Sequence, residues 1–398
     1  MFAVLSRARK ALRTAAVVAS AGLVAACGAP MMSDLGGGGA GSGGPQIDPK
    51  QPVRVALLVP RSDSGAGTIA RDLENAARLA IADLDGVNID LAVYDTAGSP
   101  ATAASAAQRA VDEGAKIILG PLRGEVAVEA SKVVADEGVN VLSFSNNPSI
   151  AGGNLFVLGP TFVNTADRLM GYGRRQGLDS VAVLYSEDVP GQFGRSAIQQ
   201  AAANNGIDVA TTQPYPLSID GVTSAAQNMG NVVSESGADA VFITTDATNA
   251  AMPILLQVMP ENGVDPAQTQ YIGLTRWDVK PELFGYPGAE GAWFTLPNQS
   301  MQQNFSSRFS AAYGTSPHPL AGLAFDGIAA VGALVKRGRS DALTGRALTQ
   351  SAGFQGTGGV FRLKSDGTNE RGLAVATVRN NQMVILDPAP SSFSGAGF

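Results

Sequence analysis

Between residues 53 and 274 the chain repeats one pattern. A short unbroken run of Val, Ile, Leu and Ala is followed by a longer stretch whose apolar residues fall on one helical face. A strand exposed on one side alternates apolar and polar residues, whereas one covered on both sides reads as a continuous apolar run. The pattern therefore predicts parallel sheets with helices on both faces. Strands are predicted over 53–59, 89–94, 116–119 and 140–144, with helices over 69–84, 101–113 and 125–137. A second series begins at 180, with strands over 181–185, 208–210, 238–244 and 270–274 and helices over 194–205, 222–236 and 249–259. The natural product is a pair of doubly wound α/β lobes. Strand 293–296, helices 303–313 and 319–336, and short strands over 359–363, 373–379 and 383–386 complete the body.

The first 26 residues have a different character. Arg7, Arg9, Lys10 and Arg13 precede an apolar stretch over 15–24 that is too short to span a bilayer, as in a secretory signal. It ends in Leu23-Val24-Ala25-Ala26-Cys27, which resembles the lipobox of bacterial lipoproteins. That resemblance implies cleavage before Cys27, lipidation of its thiol and a membrane-anchored periplasmic protein. Gly28 in place of Asp favours the outer membrane by the same analogy. Residues 27–51 contain the run 36–44, rich in Gly, which neither follows a strand nor opens a helix, so it reads as a flexible tether rather than a phosphate loop. Its reach is roughly 25–30 Å. The Ser- and Gly-rich end over 389–398 reads as a disordered tail.

Composition removes several kinds of chemistry. The 28 Lys and Arg against 34 Asp and Glu give no basic excess, which argues against a nucleic-acid partner. One Cys and one His form no zinc cluster, so no metal is expected, and no motif points to a cofactor. Neither Ser-x-x-Lys nor Gly-x-Ser-x-Gly occurs, and the single His318 sits between Pro317 and Pro319. The chain reads as a non-enzyme.

Several phrases in order carry a resemblance. They are the loop from Pro60 to Gly65, Leu119-Gly120-Pro121-Leu122, the segment from Val141 to Pro148, and the turn from Asp188 to Gly194. Ala324-Phe325-Asp326-Gly327 and the loop from Phe354 to Gly359 follow. Together they resemble the type I periplasmic binding proteins, in their Leu/Ile/Val-binding branch. The resemblance implies the type I periplasmic-binding-protein fold, with two Rossmann-like lobes joined by crossover hinges. Lobe 1 is expected over 52–162 and 297–345, and lobe 2 over 163–296 and 346–388. The phrase running from Leu142 through Ser145-Asn146-Asn147 to Gly159 further resembles bacterial penicillin-binding-protein activators. Two roles follow as expectations. One is a regulator of peptidoglycan synthesis whose partner is a penicillin-binding protein, towards which the reading leans. The other is the substrate-binding subunit of an ABC importer, delivering branched-chain or other amino acids to its permease.

In an open α/β sheet, ligands bind beyond the carboxyl ends of the strands. That rule selects Ser62, Asp63 and Ser64, Arg123 and Gly124, and Ser143, Ser145 and Asn146 from the first lobe. From the second it selects Tyr185, Phe193, Asp246, Thr248 and Trp277. The resemblance implies that first-lobe hydroxyls and amides hold a ligand carboxylate, while a second-lobe acid and aromatics hold its ammonium and side chain. This sequence departs from that scheme: Leu122-Arg123-Gly124-Glu125 replaces a Ser-rich stretch, and only Asp246 offers an acid. Arg123 is either a bidentate clamp for a carboxylate or a solvated surface charge. Asp246 is either the ligand acid or a helix cap, Ser143 and Ser145 either ligand hydroxyls or turn residues, and Trp277 either a cleft cover or packing at the lobe edge.

Overall fold

The computed structural model describes residues 44–393. The signal peptide, Cys27, residues 28–43 of the tether and the last five residues of the tail lie outside the described residues.

The first lobe is built from β1 (Val53–Val59), α1 (Gly67–Ala82), β2 (Ile89–Asp95), α2 (Pro100–Asp112), β3 (Ile117–Leu119), α3 (Gly124–Val133), β4 (Asn140–Ser143) and β5 (Leu155–Val157). Its five strands are all parallel in the order β2-β1-β3-β4-β5. Burial on both faces is what made β1 legible: Val55, Leu57 and Val59 enter one core, Ala56 and Leu58 the other. Helix α2 buries Ala103, Ala106, Ala107 and Ala110, the i, i+3, i+4, i+7 stripe of a helix packed on a sheet.

The second lobe continues with α4 (Phe162–Arg175), β6 (Ser180–Ser186), α5 (Val189–Asn205), β7 (Asp208–Tyr215), α6 (Ile219–Ser236), β8 (Ala240–Ile243), α7 (Ala251–Glu261), β9 (Gln270–Gly273) and β10 (Trp293–Leu296). Side-chain caps begin three of its helices: Thr161 and Asn164 form a reciprocal capping box on α4, Asp188 caps α5 and Ser218 caps α6. Gly206 and Gly237, both at φ 65°, close α5 and α6 in the left-handed region.

The chain then returns to lobe 1 through α8 (Gln299–Tyr313), α9 (Gly322–Val335), α10 (Gly345–Leu348) and the small antiparallel sheet of β11 (Phe354–Gly356), β12 (Gly359–Leu363) and β13 (Asn369–Arg371). Phe354, Phe361 and Leu363 join the lobe 1 core. The expected boundary at 345 is therefore displaced, because these strands bury their apolar face on α9 and in the lobe 1 core rather than on the second sheet. Only β14 (Ala374–Arg379) and β15 (Gln382–Asp387) cross back, extending the second sheet to the order β15-β14-β10-β9-β8-β6-β7. Three crossovers thus join the lobes, near residues 158–162, 296–298 and 372–373.

Both expected free ends hold less chain than the sequence implied. Ile47 is buried in the lobe 1 core, its N–H donates to the Ser340 carbonyl at 2.9 Å, and Gly44 lies against the backbone of Leu343 and Thr344. At the other end, Phe393 is buried under the Arg362 guanidinium, 4.6 Å from its ring centroid, and Pro390 packs at Gly372. An isolated apolar side chain in a polar stretch was the available signal in each case.

Candidate functional site

The order β2-β1-β3 places the topological switch of the first sheet between β1 and β3, so the loops after these strands diverge around a crevice. Asp63 and Arg123 meet across it. The Arg123 guanidinium pairs with Asp63 at 2.8 Å and donates to the Gly98 carbonyl at 3.3 Å. The Gly65 amide, and beyond it the Arg123 charge, hold the Asp63 carboxyl below the usual carboxylate range. Arg123 is also the residue before α3, and no side chain caps that helix. Its first residues, Gly124 and Glu125, line an open depression of about 700 Å³ formed with Ser145, Asn146, Ile150 and Leu320. Gly124 sits against Ser145 and Ile150, where a Cβ would make ordinary contact, 3.4 Å from the Ser145 hydroxyl oxygen.

The two serines differ. Ser143 is fully buried, donates to the Pro121 carbonyl at 3.1 Å and accepts from the Ser145 amide at 3.1 Å. It is a turn residue with both hydrogen-bonding roles used. Ser145 accepts from the Asn147 amide yet lines the depression, and Asn146 beside it is exposed. Ser62 and Ser64 are exposed on the β1 loop, where the Ser62 N–H donates to Asp95.

In the second lobe the candidates scatter. Asp246 is exposed and folds onto its own loop, accepting from the Thr248 amide at 2.8 Å and hydroxyl at 2.5 Å. The Tyr185 hydroxyl accepts from Arg195, whose guanidinium lies 4.9 Å from the ring centroid. Phe193 is 53% exposed on α5. Trp277 corrects both expectations for it: fully buried in the lobe 2 core, it stacks on Phe294 at 5.8 Å between centroids. Gly273 makes room for it, since a Cβ there would approach the indole nitrogen to 2.4 Å. Among the described residues, no hydrogen bond or ion pair joins 62–64, 123–124 or 145–146 to 185–193 or 246–248.

Between the lobes runs a cleft of about 350 Å³, floored by the crossovers at Pro160, Thr161, Thr295, Pro297 and Leu373 and bordered by Asp246, Thr275 and Arg276. Pro160 and Leu320 belong to both this cleft and the α3 depression, so the two surfaces are continuous. Its wall holds an ion pair the site rule did not select. Asp326 on α9 meets Arg371 at the end of β13 at 3.4 Å, and accepts from the Thr357 amide at 2.6 Å. Arg371 also donates to the Leu158 carbonyl at the first crossover. Burial pushes the Asp326 carboxyl up and the Arg371 guanidinium down, each offset by the charge of the other. Asp326 and Thr357 stand inside two of the phrases that carry the resemblance, which was the available signal; Arg371 had none. Among the described residues, no group of His, Cys, Asp and Glu is placed to hold a metal ion.

A family model described as periplasmic binding protein matches residues 52–382. An uncharacterized protein of Rickettsia prowazekii (strain Madrid E) is 23% identical over 214 residues, 53% of this chain and 54% of that protein, so the match spans about half the relative's length. Among solved structures, a Rhodospirillum rubrum protein ascribed to branched-chain amino acid ABC transport aligns with a TM-score of 0.70 at 18% identity, over 84% of this chain and 100% of that one. An ABC transporter substrate-binding protein from Desulfitobacterium hafniense, in complex with Leu, aligns at 0.58 and 17%, over 84% and 100%. A solute-binding protein of an ABC transporter from Rhodopseudomonas palustris BisB5, in complex with 3,4-dihydroxybenzoic acid, aligns at 0.54 and 19%, over 85% and 98%.

Proposed function

Because the chain belongs to the periplasmic binding protein family, we propose that it is the solute-binding component of an ABC importer for a small organic carboxylate, with an amino acid as the first candidate. It works in the periplasm, held to a membrane through a lipid on Cys27, and performs no chemical turnover. One observation carries the ligand class: the uncapped start of α3, with the Arg123 guanidinium before it, opens onto the depression that continues into the cleft. Uncapped first-turn amides and a helix N-terminus favour an anion, and a guanidinium matches a carboxylate. Arg123 and Glu125, both exposed around Gly124, place opposite charges side by side, which suits a zwitterion. Leucine and dihydroxybenzoate, bound by the two structural neighbours, share a carboxylate.

A carboxylate ligand would draw Arg123 from Asp63, and hinge rotation would bring Asp246 and Thr248 over it. Calorimetry of the intact chain with L-leucine, L-valine, benzoate and L-leucinol tests this. The carboxylates are expected to bind and leucinol, which lacks one, to fail. Arg123→Ala is expected to weaken the carboxylates by roughly 10- to 100-fold, the loss of one charged hydrogen bond. Equal affinity in the variant, or no binding by any of the four, sinks the proposal.

The second reading is a regulator of penicillin-binding proteins. It is favoured by the second lobe, where Asp246 bonds its own loop and Trp277 is committed to the core. Capture of a penicillin-binding protein by the intact chain, undiminished by Arg123→Ala, would move the function there.

A further inference from the structure

Helix α4 faces two hollows. Phe162 and Thr165 in its first turns face the cleft, while Asp167, Gly171 and Arg175 face a polar hollow of about 320 Å³ that meets the cleft at Thr161, Asn164 and Arg371. Both lobes form this second hollow. Lobe 2 contributes α4 together with Gln200 and Asn204 of α5, and lobe 1 contributes the turn between β12 and β13. That turn is fixed to the end of β5: the Val157 N–H donates to the Gly367 carbonyl at 2.8 Å, and the Asn369 amide donates to the carbonyls of Val157 at 2.9 Å and Gly159 at 2.8 Å. A single side-chain bond joins α4 to it directly, from Asn164 to the Asn369 carbonyl at 2.9 Å.

Most charges around the hollow are already committed. Arg168 donates to the Leu373 carbonyl at 2.6 Å and shares the Asp387 carboxylate with Arg175, at 3.0 and 2.8 Å. Glu370 pairs with Arg362 at 2.6 Å, and Arg371 with Asp326. Asp366 accepts from the Thr368 amide and hydroxyl at 2.9 and 2.6 Å, leaving Lys364 at a loose 3.8 Å. Asp167 is the exception. Among the described residues no cation lies within ion-pair distance of it, and its one hydrogen bond comes from the Asn204 amide at 3.2 Å. Burial, and to a smaller degree the Glu370 charge, pushes its carboxyl up, only partly offset by that amide and the more distant Lys364 charge. A desolvated carboxylate without a cation costs stability wherever it sits, and here it borders a cavity large enough for a small guest.

We propose that this hollow is a second binding site, for a small molecule bearing a primary ammonium group that pairs with Asp167 while Lys364 and Thr368 on the facing turn receive its other end. A free amino acid and a simple amine share that chemistry. The guest would touch α4 and α5 on one lobe and the β12–β13 turn on the other, so its affinity depends on the angle between them. By linkage, filling the hollow would then change the affinity of the interlobe cleft for its own ligand, and the reverse.

Amide NMR of the intact chain, titrated separately with L-leucine, 3-methylbutylamine and isocaproate, tests the site. L-leucine, 3-methylbutylamine or both are expected to shift the amides of Gly171, Asn204, Thr368 and Asn369, and isocaproate, which has a carboxylate but no amine, is not. A response to leucine alone identifies the amino acid as the source, and to 3-methylbutylamine alone the amine. Asp167→Asn, nearly the same shape, is expected to weaken the response by about tenfold, with an unchanged or higher melting temperature. The inference is overturned if neither ammonium compound moves these amides by about 10 mM, if isocaproate matches them, or if Asp167→Asn responds like the parent. Shifts at Gly124, Ser145 and Asn146 report the α3 depression separately, so either site can fail while the other stands.

Discussion

Asp326 and Arg371 carry more of this molecule than their place in the sequence suggests. Their side chains are 2% and 11% exposed, and they tie α9, the loop at Thr357 and the first crossover together. Removing one partner leaves a buried charge uncompensated. Asp326→Ala is therefore expected to cost about 3–5 kcal/mol by urea denaturation, whereas a surface carboxylate such as Asp90, paired with Arg54, should cost under about 1 kcal/mol. Trp277 offers a second test at this scale. A cleft cover would lose ligand affinity when truncated and keep its stability. The buried stack on Phe294 instead predicts that Trp277→Ala destabilises by about 3–5 kcal/mol. Asp167 sets a pH dependence. Its folded pKa is raised, so above that value the charged form disfavours the native state, and below the unfolded value near 3.8 the penalty is gone. Asp167→Asn should thus be the more stable chain near pH 7, with the difference vanishing as the pH falls towards 3.5. A gap that persists unchanged at low pH would assign the stabilisation to something other than the charge.

Among elements, the strands were the most legible. Residues 53–59 are predicted and observed as β1, because burial on both faces leaves no freedom in their composition. Helix α4 was not anticipated. Gly171 and Gly173 lower its propensity, and its apolar face of Ala166, Leu169, Met170 and Tyr172 is set among many polar residues. Gly173 is favoured by packing, since a Cβ there would meet the Leu178 side chain at 2.8 Å and push it aside. The signal that could have found α4 was the Thr161-x-x-Asn164 capping box. With so little propensity in reserve, α4 should depend on that cap: Thr161→Ala is expected to cost about 1–2 kcal/mol, and a loss under about 0.3 kcal/mol would show the helix held by packing alone. Strands β11–β13 were placed in the wrong lobe for a different reason. Their apolar residues say that they are buried but not in which core, and packing on α9 puts them in the first.

For the whole molecule, two lobes meet along three crossovers, and the candidate residues lie on surfaces that turn towards each other only through the hinge. Closure on a ligand is expected to lower the radius of gyration in X-ray scattering, and an unchanged value at saturating ligand would mean binding without rotation. The segment before β1 is part of the body at this scale. A chain beginning at residue 52 loses Ile47 from the lobe 1 core and should be about 1.5–3 kcal/mol less stable than one beginning at 44.

The sequence by itself determined the class of fold, the number of lobes and the strands that carry the candidate site, because these follow from which residues must leave water and at what period. It also selected the loop ends, and Arg123, Gly124, Ser145 and Asn146 do share one surface. The tertiary structure alone decided which of those side chains are free to act. Ser143 and Trp277 spend their polar and apolar groups inside their own lobes, while Asp326 and Arg371, 45 residues apart, become one buried pair. Periodicity records whether a side chain is buried, not what lies opposite it. Pairings between distant segments are set by how the finished elements pack against one another.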